Sequence, residues 1–147
     1  MPHLAKLFLF VTMVAGVGGA APHFGTWKMN PEKSHFDPVS SRLKSFTLQF
    51  APAEKVTANG ETSDGTPFHT SYVAKEDGKD YPVTNAPFDS ISITATGPNT
   101  QTVIAKRNGK VVEKTSVVFA GNTMTESSEG TDASGHAYHG VAVLEKQ

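Results

Sequence analysis

Five histidines lie beyond the first twenty residues: His23, His35, His69, His136 and His139. Imidazole ligates metals and moves protons near neutral pH, so these are the first side chains to weigh. His136 and His139 stand three apart. On a helix that spacing can share one metal ion, but on a strand it sends the two rings to opposite faces. The segment around them, Ala137 to Lys146, reads as a strand, so neither a metal site nor any cofactor is expected. Serine is abundant, yet no Gly-x-Ser-x-Gly turn presents one as a nucleophile. The carboxylate pairs Glu76 with Asp77 and Glu126 with Glu129 have the residue types of glycosidase chemistry. They fall beside turn signals or on faces expected to meet water, and a solvated surface role is the expectation for both. No catalytic residue is assigned, and the chain is expected not to be an enzyme.

Aromatic side chains are the stronger lead. Trp27, Phe46, Phe50, Phe68, Tyr72, Phe119 and Tyr138 have the sizes that line or fill a small β-barrel. Such a barrel is just wide enough to be packed solid or to hold one small ligand. Thr70 falls between Phe68 and Tyr72, and Thr115 between Glu113 and Val117, on faces expected to point inward. Solid packing by these rings is the first expectation; the polar residues support a cavity instead, because a core packed to crystal density is more uniformly apolar than that. Trp27, Phe46, Phe68, Tyr72 and Tyr138 are therefore the candidate ligand-binding residues.

The elements that must position them are strands. Between Asp64-Gly65, Asp77-Gly78, Gly97-Pro98-Asn99, Asn108-Gly109, Gly121-Asn122 and Ser134-Gly135 lie short segments of β-like alternation. Asn-Gly and Asp-Gly tolerate the positive φ of tight hairpins. Ser45 to Phe50 puts Phe46, Leu48 and Phe50 on one face. Thr66 to Ala74 puts Phe68, Thr70, Tyr72 and Ala74 together. Ser90 to Thr96 groups Ile91 with Ile93, and Thr102 to Arg107 groups Val103 with Ala105. Lys110 to Ala120 and Ala137 to Lys146 are longer and rich in valine. No stretch sustains a 3.6-residue period, and Pro31 to Lys44 is the one candidate for a short helical turn or irregular loop. The fold class is all-β: a single antiparallel up-and-down meander of about eight to ten strands, closed into a barrel because closure removes the exposed edges.

Composition sets the remaining bounds. The chain has 147 residues, enough for one domain. Cysteine is absent, which excludes disulfides, thiol nucleophiles and thiolate metal sites. With 13 basic and 14 acidic residues there is no basic surplus for nucleic acid. Met1 to Lys6 is weakly basic, Leu7 to Val17 is largely apolar, and Gly18-Gly19-Ala20 supplies small residues for cleavage. That pattern reads as a signal peptide over residues 1–20, leaving residues 21–147 as one β-barrel domain with no stable membrane insertion after cleavage. The apolar run is shorter than a bilayer span. Export without cysteine fits a bacterial periplasmic or extracellular protein.

The opening Gly25-Thr26-Trp27-Lys28-Met29-Asn30-Pro31 resembles the Gly-x-Trp entry of the calycin barrels, the lipocalins and fatty-acid-binding proteins. Val141 to Gln147 is similar to the last strand of the fatty-acid-binding type. The pattern continues through Lys75-Glu76-Asp77-Gly78-Lys79-Asp80-Tyr81-Pro82-Val83, Asn108-Gly109-Lys110-Val111-Val112 and Gly130-Thr131-Asp132. Over residues 24–147 it resembles a group of small exported bacterial proteins of unknown function with a lipocalin-like barrel. The resemblance implies a small apolar or amphipathic ligand held in the barrel, with Trp27 closing its base. Two departures stand out. Residues 31–44 are too few for the two helices of the fatty-acid-binding type, and Arg42 and Arg107 do not match that type's interior arginines. The alternative expectation is a protein-interaction module, of the kind seen in calycin-like protease inhibitors, working through its loops with the barrel packed solid.

Overall fold

A computed structural model describes residues 23–147; the expected leader, residues 1–20, lies outside the described residues. The described residues form eleven strands and one short 3-10 turn at Val39–Ser41. β1 (Gly25–Met29) and β2 (His35–Asp37) come first. β3 (Leu43–Ala51), β4 (Lys55–Thr62) and β5 (Pro67–Val73) form one hairpin series. After a crossing segment come β6 (Tyr81–Pro82), β7 (Ser90–Gly97) and β8 (Thr100–Arg107). β9 (Lys110–Ala120), β10 (Thr123–Thr131) and β11 (Ala137–Lys146) complete the meander.

All pairings are antiparallel, in the order β5-β4-β3-β1-β11-β10-β9-β8-β7-β6. The first strand sits between an early and a late one: Trp27 lies opposite Leu48 of β3 and Lys146 of β11. β2 extends this contact, pairing Phe36 with Gly140 of the same β11. The Pro31 to Lys44 stretch thus holds a short strand besides its helical turn. Its strand character comes from the β11 edge it meets, because three residues alone cannot hold an extended form.

Ten strands make a nearly closed barrel. The two ends of the path, β5 and β6, are not joined by a ladder. A side chain bridges that seam, where the buried Thr70 hydroxyl donates 2.6 Å to the carbonyl of Thr84. Gly65, Gly109, Gly121 and Gly135 take positive φ in the hairpin turns the sequence marks. Gly78, by contrast, lies in the β5–β6 crossing, where its N–H reaches the carbonyl of Ile93.

Two strands escape a reading by pattern. β4 reads Lys-Val-Thr-Ala-Asn-Gly-Glu-Thr, with Asn59-Gly60 imitating a turn. A Cβ on Gly60 would stand 2.2 Å from the carbonyl oxygen of Ser45 and 2.7 Å from the Phe68 ring, so the glycine makes room for its neighbours in mid-strand. β10 reads Thr-Met-Thr-Glu-Ser-Ser-Glu-Gly-Thr, and its inward residues are mostly polar.

The core runs the length of the interior. Trp27, Leu43, Phe46, Leu48, Ile91, Ile93, Met124 and Leu144 are its largest fully buried side chains. Among the described residues, no helix is long and apolar enough to cross a membrane. Because the Thr70 hydroxyl bridges the seam, Thr70→Val should leave the Thr84 carbonyl without that donor and lower stability by roughly 1–2 kcal/mol. Urea unfolding should show that loss, and amide exchange should quicken first in β5 rather than in β9–β11.

Candidate functional site

Two ends and a middle can be distinguished inside the barrel. One end is closed by rings. Trp27 is fully buried, and its indole N–H donates to the carbonyl of His23 at 3.0 Å. The His23 ring stacks on Phe119 with centroids 3.8 Å apart, Trp27 meets Phe119 edge-on at 5.7 Å, and Phe50 meets the same ring at 6.5 Å. The Lys146 ammonium lies 5.7 Å from the Trp27 ring centroid. Burial, followed by the nearby Lys146 charge, lowers the His23 pKa, which favours neutral imidazole in this stack.

The middle is polar, and β9 and β10 make it so. On β9 the inward positions are Glu113, Thr115, Val117 and Phe119; on β10 they are Met124, Glu126, Ser128 and Gly130. Hairpin register sets Ser128 beside Thr115 and Glu126 beside Val117. Thr115 and Ser128 share a hydrogen bond of 2.6 Å, and Thr115 donates to Glu113 at 3.3 Å. Tyr138 of β11 donates its phenolic hydrogen to Glu113 at 2.6 Å. That bond crosses over Gly130. A Cβ there would stand 2.7 Å from the tyrosine oxygen and 2.3 Å from the carbonyl of Val112, so the missing side chain is what lets Tyr138 and Glu113 meet. The same residues border an open depression of about 620 Å³ lined by β9, β10, β11 and Asp37-Pro38.

Glu126 is different. It is 0% exposed, and both carboxylate oxygens are buried without a hydrogen-bond partner. Gln101 of β8 faces the same row, since both residues flank Val117. Its amide N–H donates to Glu76, while its carbonyl oxygen is buried and unpartnered. Burial raises the Glu113 pKa to about 7, with the Tyr138 and Thr115 hydrogen bonds pulling the other way. Burial, then the adjacent Glu113, drives Glu126 well above the usual carboxylate range. Tyr72 and Tyr138 are also raised, mainly by burial. Tyr72 also feels Glu126, and Tyr138 feels Glu113. β5 and β10 are half a circuit apart in strand order, so the Tyr72–Glu126 influence acts across the interior.

The aromatic residues singled out from the sequence do not gather at one point. Trp27 belongs to the closed end. Phe46 and Phe68 meet at 6.2 Å over Gly60, with Phe46 buried and Phe68 half-buried. Tyr72 is buried opposite Val56 on the inner face of β5, and Tyr138 is half-buried beside Glu113. The expectation of a surface role for the Glu126 pair is corrected for one member. Glu129 faces out, but Glu126 faces in because it shares the parity of Met124 and Ser128. The signal was present in the hairpin arithmetic: a turn at Gly121-Asn122 and an inward Val117 together send Glu126 inward. Among the described residues, no group of three or more His, Asp or Glu side chains is placed to hold a metal. His136 and His139 are both exposed, and each lies 3.6 Å from a single carboxylate, Asp132 and Asp37 respectively.

No family model matches the sequence, and no curated protein sequence does. Solved structures do match in shape. Zebrafish ileal bile acid-binding protein, solved with cholic acid, overlaps with a TM-score of 0.53 at 11% identity, over 84% of this chain and 98% of its own. A mutant of the fluorescent protein UnaG overlaps with a TM-score of 0.51 at 14% identity, over 84% and 95%. The fold is thus a nearly closed, ten-stranded antiparallel barrel, calycin-like in shape.

The buried carboxylates make stability depend on pH. Between the ordinary glutamate value of 4.5 and about 7, the unfolded chain has released a proton that folded Glu113 keeps. Stability therefore falls as pH rises through that window, by about 3 kcal/mol for Glu113 alone. Glu126 extends the same trend upward, whereas His23 opposes it as pH falls below the ordinary histidine value. The difference between wild type and Glu113→Gln isolates the effect, because glutamine keeps an acceptor for Tyr138. In calorimetry at pH 5 and pH 8, wild type should lose markedly more stability than the variant across that interval.

Proposed function

We propose that this protein is an exported, non-catalytic carrier that holds one small amphipathic molecule inside its barrel. The observation that carries this reading is the polar belt of Glu113, Thr115, Glu126 and Ser128 set within an apolar interior. Buried polar groups are normally satisfied, and an unsatisfied buried carboxylate is costly enough to call for a reason. A ligand with an apolar body and one polar end supplies that reason. The barrel's shape supports the reading, since its neighbours in structure include a protein solved with cholic acid in complex. Export rests on the Leu7 to Val17 run followed by Gly18-Gly19-Ala20, and a bacterial periplasmic or extracellular location on the lack of cysteine.

Native mass spectrometry tests the proposal directly. The full sequence would be expressed in a bacterial host and the protein purified gently. The expected spectrum shows processing after Ala20 and a discrete added mass that is lost on denaturation. A protein that takes up no amphipath, even when offered a panel of them, would refute the carrier reading. A variant Tyr72→Phe keeps the ring and should change retention of that mass more than it changes the melting temperature.

A further inference from the structure

The unmet hydrogen-bonding capacity of the interior has a single sign. Among the described residues, three buried side-chain atoms have no partner, and all are oxygens: Oε1 and Oε2 of Glu126 and Oε1 of Gln101. An amide carbonyl accepts only, and so does a carboxylate once ionised, the form that an entering cation draws out of Glu126 by opposing the effect of burial. These oxygens are neighbours by construction. Glu126 and Gln101 lie opposite the same residue, Val117, on the two strands that flank β9. With strands about 4.8 Å apart, their backbones stand roughly 10 Å from each other, within reach of one small group held between two long side chains.

Among the described residues, no lysine or arginine is buried. Arg107, at the rim, donates to the carbonyl of Pro87 at 2.5 Å. Lys106 pairs with Asp80, and Lys33 with Glu145. Lys146 lies over Trp27 at the closed end. The charged groups that reach inward at mid-barrel are Glu113 and Glu126, and both are acidic. A carboxylate ligand brought here would find no cation to pair with and would hold both acids further from ionisation in a poorly screened space. A ligand whose polar end donates hydrogen bonds and carries positive charge would instead complete all three acceptors, since an ammonium has three N–H donors.

We propose that the barrel's ligand is a lipophilic amine, with its ammonium set between Glu126 and Gln101 and its apolar body running toward the rings at the Trp27 end. This deepens the carrier reading and rests on it. It assigns the interior a cationic amphipath and rejects a fatty or bile acid. Glu126 is the charge partner, and Gln101 is the second acceptor, held in place by its own N–H donation to Glu76.

Titration calorimetry of the purified protein at pH 8 with three ligands of equal chain length tests it: decylamine, decanol and sodium decanoate, each kept below its aggregation threshold. Decylamine is expected to bind at least tenfold tighter than decanoate, with decanol between them. Glu126→Gln should bring the ratio of decylamine to decanol affinity close to one. Gln101→Met should reduce that ratio several-fold. If Glu126→Gln does not fold, the wild-type series still decides. Decanoate binding as tightly as decylamine, or a preference that survives Glu126→Gln, overturns the inference while leaving a carrier intact. Failure of all three ligands to bind overturns the inference and the carrier reading together.

Discussion

A closed sheet has an inside, and its pleat sends every second side chain there without regard to polarity. In this protein the rule acts on a hairpin, β9–β10, whose inner faces carry polar residues toward one end and apolar residues toward the other. Val117 and Phe119 meet Met124, while Thr115 meets Ser128 and Glu126 enters beside Val117. A shift of one residue in that pairing would put Glu126 in water and Thr125 in the core. The register is pinned by the positive-φ turn at Gly121 and by the second pairing of β10 with β11 over nine residues.

Once inside, the two glutamates are managed in different ways. Glu113 receives hydrogen bonds from Tyr138 and Thr115, so its burial is partly offset. That solution depends on Gly130, whose bare backbone leaves space for the tyrosine oxygen. Glu126 receives no such help, and its neighbour Glu113 adds like charge. Proteins retain features that lower stability most readily where function uses them. The two carboxylates therefore differ in energy: Glu113 is hydrogen-bonded in its buried place, and Glu126 is not.

The two halves of the barrel also differ in how firmly they are held. β9, β10 and β11 form long, continuous ladders, and β1 ties β11 to β3. The opposite side carries the seam, where the two-residue β6 and the end of β5 meet through Thr70 and Thr84. Local opening follows low ladder density. The seam is therefore the part of the wall expected to open first, while the strands bearing Glu113 and Glu126 keep their positions.

Much of this was legible in the residues themselves. The Asn-Gly and Asp-Gly turns, the alternation of Phe46, Leu48 and Phe50, and the valine-rich final strands determined an antiparallel meander, because turn chemistry and a two-residue period are local properties. The polar interior was partly visible too, in Thr70 and in Thr115 beside Glu113. Other features were not local. β4 hid behind Asn59-Gly60 because the glycine answers to Phe68 and Ser45, fifteen or fewer residues away along the chain but adjacent only across strands. β2 exists because β11 lies beside it. Glu126 looked like a surface acid because acids are usually solvated, and only its pairing with Val117 placed it inside. Local chemistry chose strands and turns; closure of the sheet chose which side chains lose their water, because burial depends on what faces a residue rather than on what precedes it.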